Sequence, residues 1–275
     1  MNILLTNDDG ITAPGLWAAA EALNRYGTVQ VVAPARNFSG YGAALPPARF
    51  IQYFPYARDG AERHPEGVTA FGLDAPPAEC VRVGLSGALV RAPIDLVVSG
   101  VNDAANLGRD VLYSGTVGAA MTAQVLGVPA VAVSLATRLG AQAHWETAAW
   151  AVGAVVDLWR ANKEGSPGLF NVNVPNVARS EIAGLFITSL LSRDSCLTRY
   201  VFRVDADADY TLAVNLRDDH QPAAPELWTD AWAVANRYVS VTPLGLFSDM
   251  LYAVPWPAAS ATAPATPVFA EVAAG

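Results

Sequence analysis

The stretch Met1-Asn-Ile-Leu-Leu-Thr-Asn-Asp-Asp-Gly10 decides the fold. Residues 3–7 are apolar and strand-like, and they run into two adjacent carboxylates, Asp8 and Asp9, before a glycine turn. Open α/β sheets place their chemistry at the carboxyl ends of parallel strands, which is where such an acid pair falls. Asp-Asp-Gly is also ordinary turn chemistry, so the rest of the chain has to decide between a turn and a site.

Working outward, residues 14–26 have helical periodicity, with Pro14 near the start and Gly27 just past the end. Residues 29–33 are a second Val-rich strand bounded by Pro34. Strand, helix and strand make a βαβ opening, hence a parallel sheet with a right-handed crossover. Residues 36–47 form a loop punctuated by Gly and Pro, and 49–72 carry aromatic, β-type runs that suggest a hairpin excursion. Further strands are expected over 95–99, 129–134 and 169–174, and further helices over 77–86, 114–126 and 143–161. From about 180 to 255 the pattern changes to shorter β-like pieces. Residues 256–275 are an Ala/Pro/Thr-rich, low-complexity tail. The expected organisation is therefore an α/β core over 1–180, a β-rich extension serving oligomerisation over 181–255, and that tail.

Composition bounds the function classes. The chain has 275 residues, 52% hydrophobic and 15% charged, with a formal net charge of −8 and a single lysine, Lys163. That balance argues against tracking a nucleic-acid polymer or an anionic membrane surface, while leaving room for a local site for a small phosphorylated substrate. Cys80 and Cys196 are far apart and form no Cys-x-x-Cys pair, which fits reduced thiols. With no basic region preceding an apolar signal core and no membrane-length apolar run, the expected location is the cytoplasm.

Four segments are expected at the carboxyl edge of the sheet: Asp8-Asp9, the loop Asn37-Phe-Ser-Gly40, the pair Asn102 and Asn106, and the helix start Tyr113-Ser-Gly-Thr-Val-Gly-Ala-Ala120. Separate loops converging on one crevice is how this fold class builds sites. Carboxylates, a hydroxyl and an amide are hard oxygen donors, suited to Mg²⁺ or Mn²⁺ rather than zinc. His64, His144 and His220 are dispersed without ligand spacing. Ser114 is the expected N-cap of a helix whose small first turn leaves amide groups open to an anion; close helix packing explains the same small residues. There is no Gly-Lys dipeptide for a triphosphate loop, and Leu45 breaks a Gly-x-Gly-x-x-Gly match.

These residues resemble the SurE family. The resemblance is carried by Ile3-Leu-Leu-Thr-Asn-Asp-Asp-Gly10, Ala13-Pro-Gly15, Val32-Ala-Pro34, Ser39-Gly40, Ser99-Gly-Val-Asn102, Asn106-Leu-Gly108 and the Tyr113–Ala120 block. Asn171-Val-Asn-Val-Pro175, Thr229-Asp230 and Ser240-Val-Thr-Pro-Leu244 continue it, in order, over roughly residues 1–250. It implies a Rossmann-like three-layer α/β domain with a mostly parallel sheet and a β-rich C-terminal extension, assembled as a homodimer or homotetramer. It implies a phosphomonoesterase, a 5′-/3′-nucleotidase dependent on a divalent metal ion, Mg²⁺ or Mn²⁺. Metal ligands map onto Asp8, Asp9, Ser39 and Asn102. Phosphate binding maps onto Gly40, Ser114, Gly115 and Thr116. Catalytic roles map onto Asp8, Asp9 and Asn106.

This chain departs from the family pattern at Ala104, at Thr122-Ala123, around Leu45-Pro46 and over Asp74-Ala-Pro-Pro-Ala-Glu-Cys80. Those departures motivate an alternative substrate, a non-nucleotide phosphate. A module that binds metal or phosphate without turnover is the reading from another class. Direct attack by water ranks above a covalent phosphate on Asp8, because a carboxylate that ligates a metal is a poorer nucleophile. A haloacid-dehalogenase-type site is disfavoured, since that chemistry needs Asp-x-Asp.

Overall fold

The computed structural model describes residues 1–47, 50–57, 65–91, 93–138, 140–162, 168–191, 200–204, 212–216, 225–246 and 251–253. Lys163, Cys196, His64, His220 and the tail over 256–275 lie outside the described residues.

The opening stretch forms β1 (Asn2–Thr6), followed by α1 (Pro14–Asn24) and β2 (Thr28–Pro34). Pro14 occupies the first turn of α1, where its missing N–H leaves no bond unmade. Next come β3 (Tyr53–Pro55), β4 (Thr69–Leu73), α2 (Pro77–Leu85) and β5 (Leu96–Asn102). Then follow α3 (Gly115–Val125), β6 (Ala130–Ala136), α4 (Trp145–Ala161) and β7 (Leu169–Pro175). The later part gives β8 (Gly184–Ile187), β9 (Tyr200–Val204), β10 (Leu212–Leu216), α5 (Asp230–Ala235), β11 (Tyr238–Leu246) and β12 (Leu251–Ala253).

The main sheet runs β12-β11-β7-β6-β5-β1-β2-β4-β3, with β8 beside β11. Strands β4, β2, β1, β5, β6 and β7 are mutually parallel. From β1 the chain winds outward through β2 and β4, then returns to the other side of β1 with β5. The topological switch point therefore lies between β1 and β5, and a crevice opens at their carboxyl ends.

Strand alternation sorts the core into two layers. Ile3, Leu5, Val29, Val98, Val133 and Val172 pack with Leu16, Trp17, Val152 and Trp159 under α1 and α4. Leu4, Val32, Val97, Ala132 and Leu169 pack with Cys80, Val81, Val117 and Ala120 under α2 and α3. The Cys80 thiol is fully buried, and burial pushes its pKa up, so it carries no thiolate character.

The hairpin expected over residues 49–72 is present as β3 paired antiparallel with β4, and β4 also pairs parallel with β2, which makes it part of the main sheet. One local expectation needs extending. The strand expected over 95–99 continues to Asn102, with an irregularity in its pairing to β6 between Ser99 and Asn102. Gly100 enables this: its φ is +135° and an added Cβ would stand 2.2 Å from the Val133 carbonyl oxygen. Beyond residue 180, β11 inserts beside β7 in antiparallel register, Thr242 opposite Asn171 and Ser240 opposite Asn173. Among the described residues no helix is long and apolar enough to cross a membrane.

Candidate functional site

Asp8 and Asp9 leave β1 at the switch point. Their turn is closed by Asn7, whose Nδ2 donates to the Gly10 carbonyl and whose Oδ1 accepts from the Gly10 N–H. Asp8 is only 2% exposed. The Thr116 hydroxyl donates to its Oδ1, and the Phe38 N–H donates to its backbone carbonyl. Burial pushes the Asp8 carboxyl up to about 6; the Thr116 bond opposes this and the neighbouring Asp9 charge adds to it. Burial also raises Asp9, although its oxygens accept from the Asp103 N–H at 3.1 Å and Asn37 Nδ2 at 3.3 Å, and the Ser39 side chain hydrogen-bonds to it as well.

The four expected segments thus meet at two carboxylates. Asn37 and Ser39 come from the loop after β2, Asp103 follows β5, and Thr116 opens α3. Asn102 ends β5 with its Nδ2 tied to the Ala104 carbonyl at 2.7 Å, so Oδ1 is the atom of that side chain able to serve a cation. Gly40 sits exposed in the same loop as Ser39, with φ at +82°.

Ser114 caps α3, its hydroxyl accepting from the Val117 N–H at 3.1 Å. Gly115 has no room for a side chain: a Cβ would stand 2.8 Å from both Cβ and Oδ2 of Asp8. Gly118 is pressed against the Gly42 backbone, where a Cβ would stand 2.5 Å from the Gly42 carbonyl carbon. The small residues of α3 therefore do two things. They let the helix lie close to the sheet and the 38–44 loop, and they bring its amino end against Asp8. Thr116, expected to hold phosphate, spends its hydroxyl on Asp8.

Asn106 is buried and held on both sides. Its Nδ2 donates to Ser134 Oγ, its backbone N–H donates to Asn173 Oδ1, and its carbonyl accepts from Asn171 and Asn173. Two residues farther on, the Gly108 N–H donates to Asp230 at 2.7 Å. Asp230 is fully buried and also accepts from Leu191 N–H and Ala231 N–H. Sequence reasoning gave roles to none of Asn171, Asn173 and Asp230. The available signal was polar residues alternating with Val inside a buried strand, a pattern that burial permits only when the polar groups are bonded. Replacing Asp230 by Ala strands the Gly108 and Leu191 amides and should cost about 2–4 kcal/mol, read as a lower urea midpoint with an unchanged slope.

The donor set fits a hard divalent cation. Two desolvated carboxylates lie side by side, and neither has an ion-pair partner among the described residues. Neighbouring negative charges in a buried place need a counter-charge, and a hydroxyl and an amide oxygen stand in the adjoining loops. Among the described residues no group of three or more His, Cys, Asp or Glu side chains is arranged to hold a metal, so two carboxylates would need the hydroxyl and amide oxygens of the adjoining loops to complete a ligand set. His144 pairs with Glu146 on the surface. Arg36 lies over the Phe38 ring at 4.2 Å and 3.8 Å from Asp74, at the outer side of the same loop.

Residues 3–196 match the family described as Survival protein SurE. The chain belongs to the SurE family. It is 39% identical over 244 residues to 5′/3′-nucleotidase SurE of Cronobacter sakazakii, covering 89% of this chain and 90% of that one. It is 40% identical over 256 residues to 5′-nucleotidase SurE of Geobacter sulfurreducens, covering 90% and 88%. The crystal structure of a SurE protein from Aquifex aeolicus superposes with a TM-score of 0.69 at 36% identity, over 89% of this chain and 93% of that one. The parallel α/β sheet read from the opening βαβ unit, and the Rossmann-like form that the resemblance implies, are therefore the SurE architecture, and the crevice at the β1/β5 switch point lies within the matched region.

Proposed function

We propose that this SurE chain hydrolyses phosphate monoesters of small molecules, nucleoside monophosphates first among them, with a divalent metal ion held by Asp8, Asp9, Ser39 and Asn102. The observation that carries the reading is the Asp8-Asp9 pair, Asp8 buried and Asp9 partly so, which has no cationic partner among the described residues and is abutted by the amino end of α3. The names of its relatives, 5′-nucleotidase and 5′/3′-nucleotidase, supply the substrate class.

A Mg²⁺ or Mn²⁺ ion supplies Lewis acidity and makes water a better nucleophile near neutral pH. The chain's own residues do the rest. Asn37, Ser39 and the Asp103 amide fix one carboxylate and Thr116 fixes the other, so both are oriented before substrate arrives. Ser114 and Gly115, with Gly40 across the crevice, cradle the phosphoryl oxygens. The α3 dipole favours the anion there. Asn106 donates to the charge that develops as the ester bond breaks. Water attacks directly. The chain works as a homodimer or homotetramer, the residues after 180 supplying the contacts, which light scattering would reveal.

A second reading is favoured by one observation. Around Leu45-Pro46, where the family pattern has a Thr, Leu45 is exposed in the 36–47 loop that also carries Ser39, which puts an apolar side chain on that loop. A non-nucleotide phosphate with an apolar leaving group suits that side chain. Phosphate release from a panel of nucleoside monophosphates and non-nucleotide phosphomonoesters separates the two. The first reading expects the nucleotides to lead in kcat/KM, and lack of release from any member contradicts both.

A further inference from the structure

β7 reads Leu169-Phe-Asn-Val-Asn-Val-Pro175, and its alternation is unusual for a buried strand. Phe170, Val172 and Val174 face the α1/α4 layer, while Asn171 and Asn173 share the opposite face with Leu169. Both asparagines are fully buried. A buried amide is costly unless bonded, so a strand with two of them requires a reason.

Their bonds converge on one peptide. Asn173 Oδ1 accepts from the Asn106 N–H at 2.7 Å, and its Nδ2 donates to the Asn106 carbonyl at 3.0 Å. Asn171 Nδ2 donates to the same carbonyl at 2.9 Å. Residue 106 is thus gripped at both backbone groups, as in a ladder, although it lies outside any strand. The Asn106 side chain donates to Ser134 Oγ at 2.7 Å, and Ser134 stands in register between Asn102 and Asn173. One row across the sheet therefore carries Asn102, Ser134 and Asn173. The grip also has a cost. Among the described residues Asn171 Oδ1 is buried without a hydrogen-bond partner, and an unmade bond of this kind is destabilising.

We infer that Asn173, seconded by Asn171, is the positioning residue of this enzyme: it holds the Asn106 peptide so that the Asn106 amide is aimed at the reacting phosphoryl group. This rests on the role given to Asn106 above. A donor that acts on charge present only in the transition state governs kcat more than KM. Loss of aim by about 1 Å costs about 10²-fold in rate.

The test is a double-mutant cycle on the metal-loaded full chain, with hydrogen exchange measured alongside. Asn173→Ala should lower kcat about 10- to 100-fold with KM changed less than about threefold. Asn171→Ala also removes the unpartnered oxygen, so it should fold at least as well as the natural chain and lower kcat about 3- to 10-fold. In an Asn106→Ala background neither substitution should lower kcat more than about twofold, because the group they aim is gone. Exchange of the Asn106 amide should quicken at least about tenfold in Asn173→Ala while the central strands keep their protection. Fold-changes that multiply with Asn106→Ala, or full kcat in both folded single variants, overturn the inference. If the natural chain releases no phosphate at all, the functional reading fails separately. Exchange then decides the grip: quickening confined to 104–110 upholds it, and unchanged exchange overturns it.

Discussion

Asp8→Asn should abolish metal-dependent phosphate release, by about 10³-fold or more, and at the same time make the metal-free protein more stable at neutral pH. Both follow from one fact: Asp8 is buried where its charge is disfavoured. Its carboxyl is raised from 3.8 to about 6 by desolvation. Folding therefore favours the protonated form. The stability this group contributes is full below 3.8, falls as pH rises toward 6, and stays at its lower level above. The difference corresponds to about 3 kcal/mol at neutral pH. Asparagine keeps an oxygen for the Thr116 hydroxyl but carries no charge to desolvate. Metal-free Asp8→Asn should accordingly melt several degrees above the metal-free natural chain at pH 7.5, and the gap should shrink as pH is lowered toward 4. A divalent cation should raise the melting temperature of the natural chain and leave that of the variant nearly unmoved. A variant that melts lower than the natural chain across this pH range would mean that the Asp8 charge is compensated by something other than a bound cation.

Gly115→Ala should be the most damaging single-methyl change in the molecule for activity. The new Cβ would lie 2.8 Å from Cβ and Oδ2 of Asp8, closer than real Cβ contacts come. Either the carboxylate swings away or the first turn of α3 lifts off it. Both outcomes misplace the proposed metal ligand relative to the proposed phosphate cradle, and a shift of about 1 Å is worth about 10²-fold in rate. Stability should move little, because Ala at a helix position gains roughly 0.5–1 kcal/mol over Gly, which offsets part of the clash. A large loss of kcat/KM in a variant with a near-natural melting temperature is the expected pattern. Unaltered kcat/KM would show that Asp8 does not need its present position.

Much of this was legible in the chain because it is local. The β1–α1–β2 opening follows from an apolar run, Pro14 at a helix start and Gly27 past its end. The cap at Ser114 follows from side-chain type and the small residues after it. The convergence of Asp8, Ser39, Asn102 and Thr116 follows from strand order in a parallel sheet. What was not legible depends on pairing across distance. Nothing local says that β4 extends the sheet past β2, or that β11 runs antiparallel beside β7, because both registers are set by partners far away in the chain. The same holds for the grip on Asn106 and for Asp230, which reaches Gly108 across 122 positions. Thr116 shows the limit most clearly. Its place at a helix start was right, yet its hydroxyl faces the carboxylate that the helix packs against.

The most direct test of the account is metal add-back. The natural chain is stripped with a chelator, the chelator is removed, and phosphate release from a nucleoside 5′-monophosphate is followed as Mn²⁺ or Mg²⁺ is titrated in, beside Asp9→Asn treated identically. The account predicts no release from the stripped chain, saturable recovery with added ion in the natural sequence, and none in Asp9→Asn. Release at full rate without divalent ion, or equal recovery in Asp9→Asn, would contradict it.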